Sequence, residues 1–337
     1  MTRPVVLFAV DMGPESRRIA EERLTGRAEI LIRRDLSDED LARRAPEVDV
    51  LVTGGFPRDI PAEVWPRMVR LRLLQTIAAG VDHLPYDRIP AAVTLCSNAG
   101  AHRISIAEHS MALLLAAAKN LVGHTDAIRQ GRFPQDVMGS SVRGKTLGII
   151  GLGGIGGEAA RLASGLGMRV IGVNRRGTTD APVAWCGTLA DRDRLLQESD
   201  FVLLSVPLTK DTMGLIGARE LRLMKPNAIL VNIARGKLIR ERDLYEHLRA
   251  NPRFTAALDV WWRYPRGEGH PFTEPFHELP NILMTPHVGW AIPEQARWSL
   301  EGALDNVVRF LSGESLRNIV DRAEYVFESE PPEDRPV

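Results

Sequence analysis

An arginine, a histidine and a glycine-spaced turn are the groups in this sequence best suited to chemistry. Arg235 follows the apolar run Ala228-Ile229-Leu230-Val231-Asn232 and precedes Gly236. Its planar fork matches a carboxylate or an α-oxo acid, and the same side chain equally suits a surface salt bridge. His287 follows Pro286 at the end of Ile282-Leu283-Met284-Thr285. An imidazole there can act as general acid or base near neutral pH, or serve as a hydrogen-bonded structural histidine. Residues 145–156 read KTLGIIGLGGIG. A buried-type apolar run enters Gly151-x-Gly153-x-x-Gly156, and helical spacing of apolar residues follows, which is the context a dinucleotide fingerprint requires. Gly151 suits the tight turn, Gly153 the approach of a pyrophosphate and Gly156 close helix packing. Gly154 and Ile155 lie in the same turn, where the helix start offers free N–H groups to phosphate. Without a ligand the motif is simply a glycine-rich turn. No HExxH or CxxC spacing occurs, so no metal is expected.

These groups must be held by strands. Apolar, β-branched runs predict strands at 5–10, 29–32, 48–53, 71–77 and 93–97. Helices are expected at 14–24, at 38–44 with Ser37 as N-cap, and at 61–68 with a proline near its first turn. A long helix is expected over 104–121. Residues 123–142 have weak periodicity and several turn formers, and read as an arm or a connection, with packing on a partner subunit as one role open to it. Further strands are expected at 146–150, 169–173, 200–206, 228–232, 255–260 and 282–285, with a short helix closing at 224, another at 243–250 and an amphipathic one at 293–311. Alternating strands and helices imply an α/β chain with two doubly wound parallel sheets, Rossmann-like or flavodoxin-like, and a cleft between the two domains. Ligands in such sheets bind outside the carboxyl ends of the strands. One sheet delivers the glycine turn, Asn174-Arg175-Arg176, Val206-Pro207, Arg235, Asp259 and His287 there. The other delivers Gly54-Gly55-Phe56, Ala78-Ala79-Gly80 and Asn98-Ala99-Gly100. His83, His109, His124 and His247 lack that strand-end setting and read as structural or surface residues.

The 337 residues suit about two domains. Lysine plus arginine and aspartate plus glutamate balance at 43 each, which argues against a nucleic-acid or membrane-surface partner. Cys96 and Cys186 are far apart, and a reduced, cytoplasmic setting is expected. The apolar runs at the N-terminus and at 111–118 are too short to span a membrane. The Pro- and acid-rich stretch after Glu328 reads as disordered.

Taken in order, several segments name a family. They are Ala79-Gly80-Val81-Asp82, Ala107-Glu108-His109, Gly144-Lys145-Thr146-Leu147-Gly148, the glycine turn, Val206-Pro207-Leu208-Thr209 with Thr212, Met224-Lys225-Pro226, Asn232-Ile233-Ala234-Arg235-Gly236, Leu258-Asp259-Val260 and Pro286-His287. The chain resembles the D-isomer-specific 2-hydroxyacid dehydrogenases nearly end to end. The resemblance implies a discontinuous substrate-binding domain (1–100 plus 290–330), a cofactor domain (101–289), a tail (331–337) and a homodimer. It also implies hydride transfer between a nicotinamide cofactor and a 2-oxo acid. Arg235 would bind the carboxylate and polarise the carbonyl. His287 would protonate the alkoxide, and the amides of Ala79 and Gly80 would cradle the carboxylate. Asp259 would contact the nicotinamide side, while Val206, Pro207, Thr212, Ile233, Ala234 and Gly289 would border the cofactor. Phe56 and His102 would line the substrate pocket.

The chain departs from the family pattern in two places. The glutamate expected five residues after Asp259, which pairs with the histidine, is Tyr264. A phenol carries no charge at neutral pH, so a less basic His287 and weaker reduction at high pH are expected, with Glu268 or His270 as possible substitutes. The strand after the glycine turn ends in Asn174-Arg175-Arg176 rather than an acid, which favours NADP over NAD. The expected activity is therefore NADP-preferring reduction of a small 2-oxo acid such as glyoxylate or hydroxypyruvate. The alternatives are another small substrate (formate, phosphite or a larger 2-oxo acid) on the same fold, or a non-catalytic, nucleotide-sensing binding protein.

Overall fold

A computed structural model of the chain describes residues 3–265 and 267–325. The acidic tail noted after Glu328 lies outside them. The described residues up to His102 and from Ile292 onward form one compact unit, and Arg103–Ala291 forms the other.

In the first unit, β1 (Val5–Ala9), β2 (Glu29–Ile32), β3 (Val48–Thr53), β4 (Leu73–Thr76) and β5 (Thr94–Cys96) make a parallel sheet ordered β2-β1-β3-β4-β5. β1 and β3 are buried along their whole length, as expected of unbroken apolar strands covered on both faces. One face packs on α1 (Pro14–Leu24) and on α9 (Gln295–Leu311), with Val6, Phe8 and Val52 meeting Leu300, Leu304 and Val307. The other face packs on α2 (Asp38–Arg44) and the segments that carry Phe56, Val64 and Leu84. Ser37 caps α2 by accepting the N–H of Asp40 at 3.0 Å.

In the second unit α3 (Arg103–Ala118) and α4 (Leu121–Arg129) lead into β6 (Thr146–Ile150), α5 (Gly154–Gly165), β7 (Arg169–Val173), β8 (Trp185–Gly187) and α6 (Arg192–Glu198). Then come β9 (Phe201–Leu204), α7 (Ala218–Leu223), β10 (Ile229–Asn232), α8 (Glu241–Ala250), β11 (Thr255–Leu258) and β12 (Ile282–Met284). The seven strands are parallel and ordered β12-β11-β10-β9-β6-β7-β8. α3 and α5 bury Ala107, Met111, Leu114, Ala159 and Ala163 against Leu147, Leu203 and Val231.

Three local expectations change. No α-helix forms over 61–68; turns lead to one 3-10 turn at Trp65–Arg67, because Pro66 lacks the N–H that would bond four residues back. The helix expected over 104–121 ends at Ala118, where Asn120 turns left-handed with φ 49°, a conformation asparagine tolerates. The start of the segment expected as an arm, residues 123–129, is then helical as part of α4. The three-residue strand β8 was not anticipated, since a run containing glycine is too short to show a period.

Candidate active site

The glycine turn leaves β6 and enters α5, and its glycines have distinct surroundings. Gly151 has φ +106°, and a Cβ there would lie 2.7 Å from the Ser205 backbone. A Cβ on Gly156 would run into the Gly151 carbonyl. At Gly153, by contrast, nothing lies within 4 Å, so the backbone is open to an approaching group. The first turn of α5, with exposed Gly154 and half-buried Ile155, has no side-chain cap. Open space beside uncapped N–H groups at the start of a 12-residue helix fits a pyrophosphate.

β7 delivers Asn174, whose Oδ1 accepts the N–H of Arg176 (2.9 Å) and Gly177 (2.7 Å) while its amide donates to the Thr178 carbonyl (2.7 Å). Asn174 thus shapes a turn that presents Arg175 and Arg176 to solvent. After β9, Thr212 donates to the Pro207 carbonyl (2.7 Å) and accepts the Thr209 N–H (2.8 Å), so its hydroxyl braces the loop that carries Val206 and Pro207.

The neighbouring strands β10, β11 and β12 carry Arg235, Asp259 and His287 beyond their carboxyl ends. Asn232 organises the first of these turns: its Oδ1 accepts the Ala234 N–H at 3.1 Å and its amide donates to the Arg235 carbonyl at 2.8 Å. Ile233 is buried beneath this turn and Ala234 is half-buried. Gly236 follows because a Cβ there would collide with the backbone of Trp261. The indole N–H of Trp261 donates to the Thr285 carbonyl at 2.9 Å, and its backbone N–H donates to the Tyr264 hydroxyl at 3.3 Å. Trp261, 5% exposed, therefore ties together the segments that hold Arg235, Tyr264 and His287.

His287 itself has φ +58°. Asp259, 2% exposed, brackets it: Oδ1 accepts the Thr285 hydroxyl (2.6 Å) and the Val288 N–H (2.9 Å), and Oδ2 accepts the N–H of buried Gly289 (3.0 Å). Burial alone pushes the Asp259 carboxyl up. Hydrogen bonds from His109, Thr285, Val288 and Gly289 outweigh it and hold the group below the usual carboxylate range. Tyr264 meets His287 ring to ring, with centroids 5.3 Å apart and planes tilted by 51°. The proposed substitute His270 stacks on Phe272 and His277.

In the first unit, Asp59 Oδ2 gathers the Thr53 hydroxyl (2.7 Å) and the N–H groups of Gly54 (3.1 Å) and Gly55 (2.6 Å). A cavity of ≈ 1000 Å³ opens at the carboxyl ends of β1, β3 and β4, bordered by Met12, Gly54, Gly55 and Ile77. It lies where the strand order reverses between β1 and β3, the usual ligand crevice of an open α/β sheet. After β4, Ala78 is pinned by the Thr76 hydroxyl (2.7 Å) and the Asn98 N–H (3.0 Å). The half-exposed Ala79 and Gly80 that follow keep their N–H groups out of hydrogen bonds among the described residues.

Two residues expected to line the substrate pocket are buried within the first unit. The Phe56 ring is 2% exposed and packs edge-on against Trp65, because it completes the core on that face of the sheet. His102 is buried, hydrogen-bonded to the Ser299 hydroxyl at 2.9 Å, and burial pushes its pKa down. It joins the chain entering α3 to α9, as a structural histidine does.

Residues 111–289 match the model of the "D-isomer specific 2-hydroxyacid dehydrogenase, NAD binding domain". The glyoxylate reductase of Pyrococcus furiosus is 34% identical over 86% of this chain and 87% of its own length. The chain belongs to the D-isomer-specific 2-hydroxyacid dehydrogenases. It is also 33% identical to the D-3-phosphoglycerate dehydrogenase of Methanocaldococcus jannaschii, of which it spans 55%. The crystal structure of a glyoxylate reductase from Paecilomyes thermophila superposes with a TM-score of 0.76 at 26% identity, covering 96% of this chain and 99% of that one. The protein is thus a nicotinamide-dependent 2-hydroxyacid oxidoreductase. Within this dehydrogenase, His109, Trp261 and Thr285 contribute to the site although strand-end reasoning left them aside. The segment Ala107-Glu108-His109 and the paired Trp261 and Trp262 were the available signals.

Proposed function

We propose that this dehydrogenase is an NADP-preferring reductase of small 2-oxo acids, of the glyoxylate or hydroxypyruvate type. The observation that carries the reading is the delivery of Arg235, Asp259 and His287 by three adjacent strands of the sheet that also presents the glycine turn. A bound reduced nicotinamide supplies the hydride. Arg235 holds the substrate carboxylate with its planar fork and favours the negative charge that grows on the carbonyl oxygen. His287 gives its proton to that oxygen as the alcohol forms. Asp259 holds the His287 turn. Arg175 and Arg176, standing where an acid would otherwise repel it, take a ribose 2′-phosphate. The names of the glyoxylate reductase relatives support the substrate class. An exposed apolar strip along residues 121–138, with Phe133 75% and Met138 89% exposed, supports a homodimer formed by the second unit.

Initial rates test the reading. Glyoxylate and hydroxypyruvate are assayed with NADPH and with NADH, and formate and phosphite with the oxidised cofactors. The expected outcome is turnover of the 2-oxo acids with a clear preference for NADPH. A preference for NADH would overturn the cofactor assignment. Turnover confined to formate or phosphite would replace the substrate class, and cofactor binding without turnover would favour a sensing role.

A further inference from the structure

His109 stands on α3, and its Nε2 lies 3.3 Å from Thr285 Oγ1 and 3.3 Å from Asp259 Oδ1. A carboxylate has no proton to give, so the nitrogen that faces it carries one and donates. The Thr285 hydroxyl already donates to the same Oδ1, which leaves its lone pairs toward the imidazole. Asp259 then accepts the N–H groups of Val288 and Gly289, the two residues after His287. A non-glycine residue at φ +58° persists only where its surroundings hold it. Here the left-handed turn aims two successive N–H groups at one carboxylate, an anion-binding concavity. The packing leaves little slack: a Cβ on Gly289 would lie 3.1 Å from Asp259 Oδ2 and 3.2 Å from His109 Cδ2.

We infer that His109 is a positioning residue for His287, acting through Asp259 and Thr285. It fixes the carboxylate that fixes the turn, and so sets where the catalytic imidazole stands. The inference rests on the reading of His287 as proton donor. A small displacement of such a donor lowers the rate of the chemical step more than it weakens substrate binding.

The test uses the full chain, with glyoxylate and NADPH as probes and amide hydrogen exchange of the peptide 284–291 as a readout independent of turnover. His109→Leu is expected to lower kcat by roughly 10-fold or more, the scale of a misplaced catalytic group, with the KM for glyoxylate little changed and faster exchange in 284–291. His109→Gln, which restores an N–H donor at similar reach, is expected to recover most of both. If His109→Leu fails to fold, His109→Asn, polar but too short to reach Asp259, carries the same comparison. Wild-type kcat and wild-type exchange in the donor-less variants would overturn the inference. His287→Ala is assayed beside them: loss of turnover supports the proton-donor reading, and retained turnover overturns that reading while the exchange data still decide whether His109 holds the turn.

Discussion

Asp259 makes no bond that breaks in the proposed reaction, yet removing its charge should be costly. Its oxygens accept from Thr285, Val288 and Gly289, and an amide in its place turns an N–H toward one of those donors. Asp259→Asn is expected to destabilise the protein by about 3 kcal/mol, the scale for breaking a buried charge network. Its folded-state pKa is depressed, so the stabilisation it gives is fully present above the ordinary aspartate value of about 3.9 and is lost as pH falls through the lower folded value. Urea unfolding from pH 7 to pH 3 should show a flatter acid limb in the variant; a limb as steep as that of the wild type would assign the effect to other carboxylates. Tyr264→Glu should raise the apparent pKa of the acid in the pH–rate profile and extend reduction to higher pH, since a carboxylate favours the imidazolium. An unchanged pKa would remove Tyr264 from the His287 partnership. The positions of Arg235, Gly153 and His287 beyond strand ends were legible in the sequence because unbroken apolar runs lead straight into them. His109 was marked only by the segment Ala107-Glu108-His109, and its pairing was hidden because Thr285 lies 176 residues away.

At the scale of elements, legibility followed the strength of the local signal. Ser37 was readable as a cap because serine before an acidic first turn has few other uses. Ser37→Ala is expected to lower stability by about 1 kcal/mol, read from the shift in the urea midpoint; a change of no more than a few tenths would mean that Asp40 and water satisfy the helix start unaided. The strands of both sheets other than the edge strand β8 were readable from their apolar runs, which burial on two faces demands at the sheet centres. The segment 61–68 misled because proline at a first turn invites a helix that Pro66 then forbids. Phe56 stands beyond β3, and its ring packs into the core against Trp65, which its strand-end position does not announce. Gly236 is the reverse case, a glycine whose reason, the backbone of Trp261, lies on the next strand's loop.

At the scale of the molecule, the apolar strip of 121–138 belongs to the second unit and is the surface proposed to meet another copy. Phe133→Asp combined with Met138→Asp should halve the mass measured by light scattering, and an unchanged mass would place any dimer contact elsewhere. The two units also differ in how the chain supplies them. The second is one continuous stretch, whereas the sheet of the first is covered on one face by α9, from the far end of the sequence. On the ribosome, β1 and β3 therefore emerge before α9 and then wait. Val6, Phe8 and Val52 cannot meet Leu300, Leu304 and Val307 until the whole second unit and α9 have been made. The second unit can close beforehand, so the part translated first finishes folding last, and its uncovered strands are the surface that most needs shielding during synthesis.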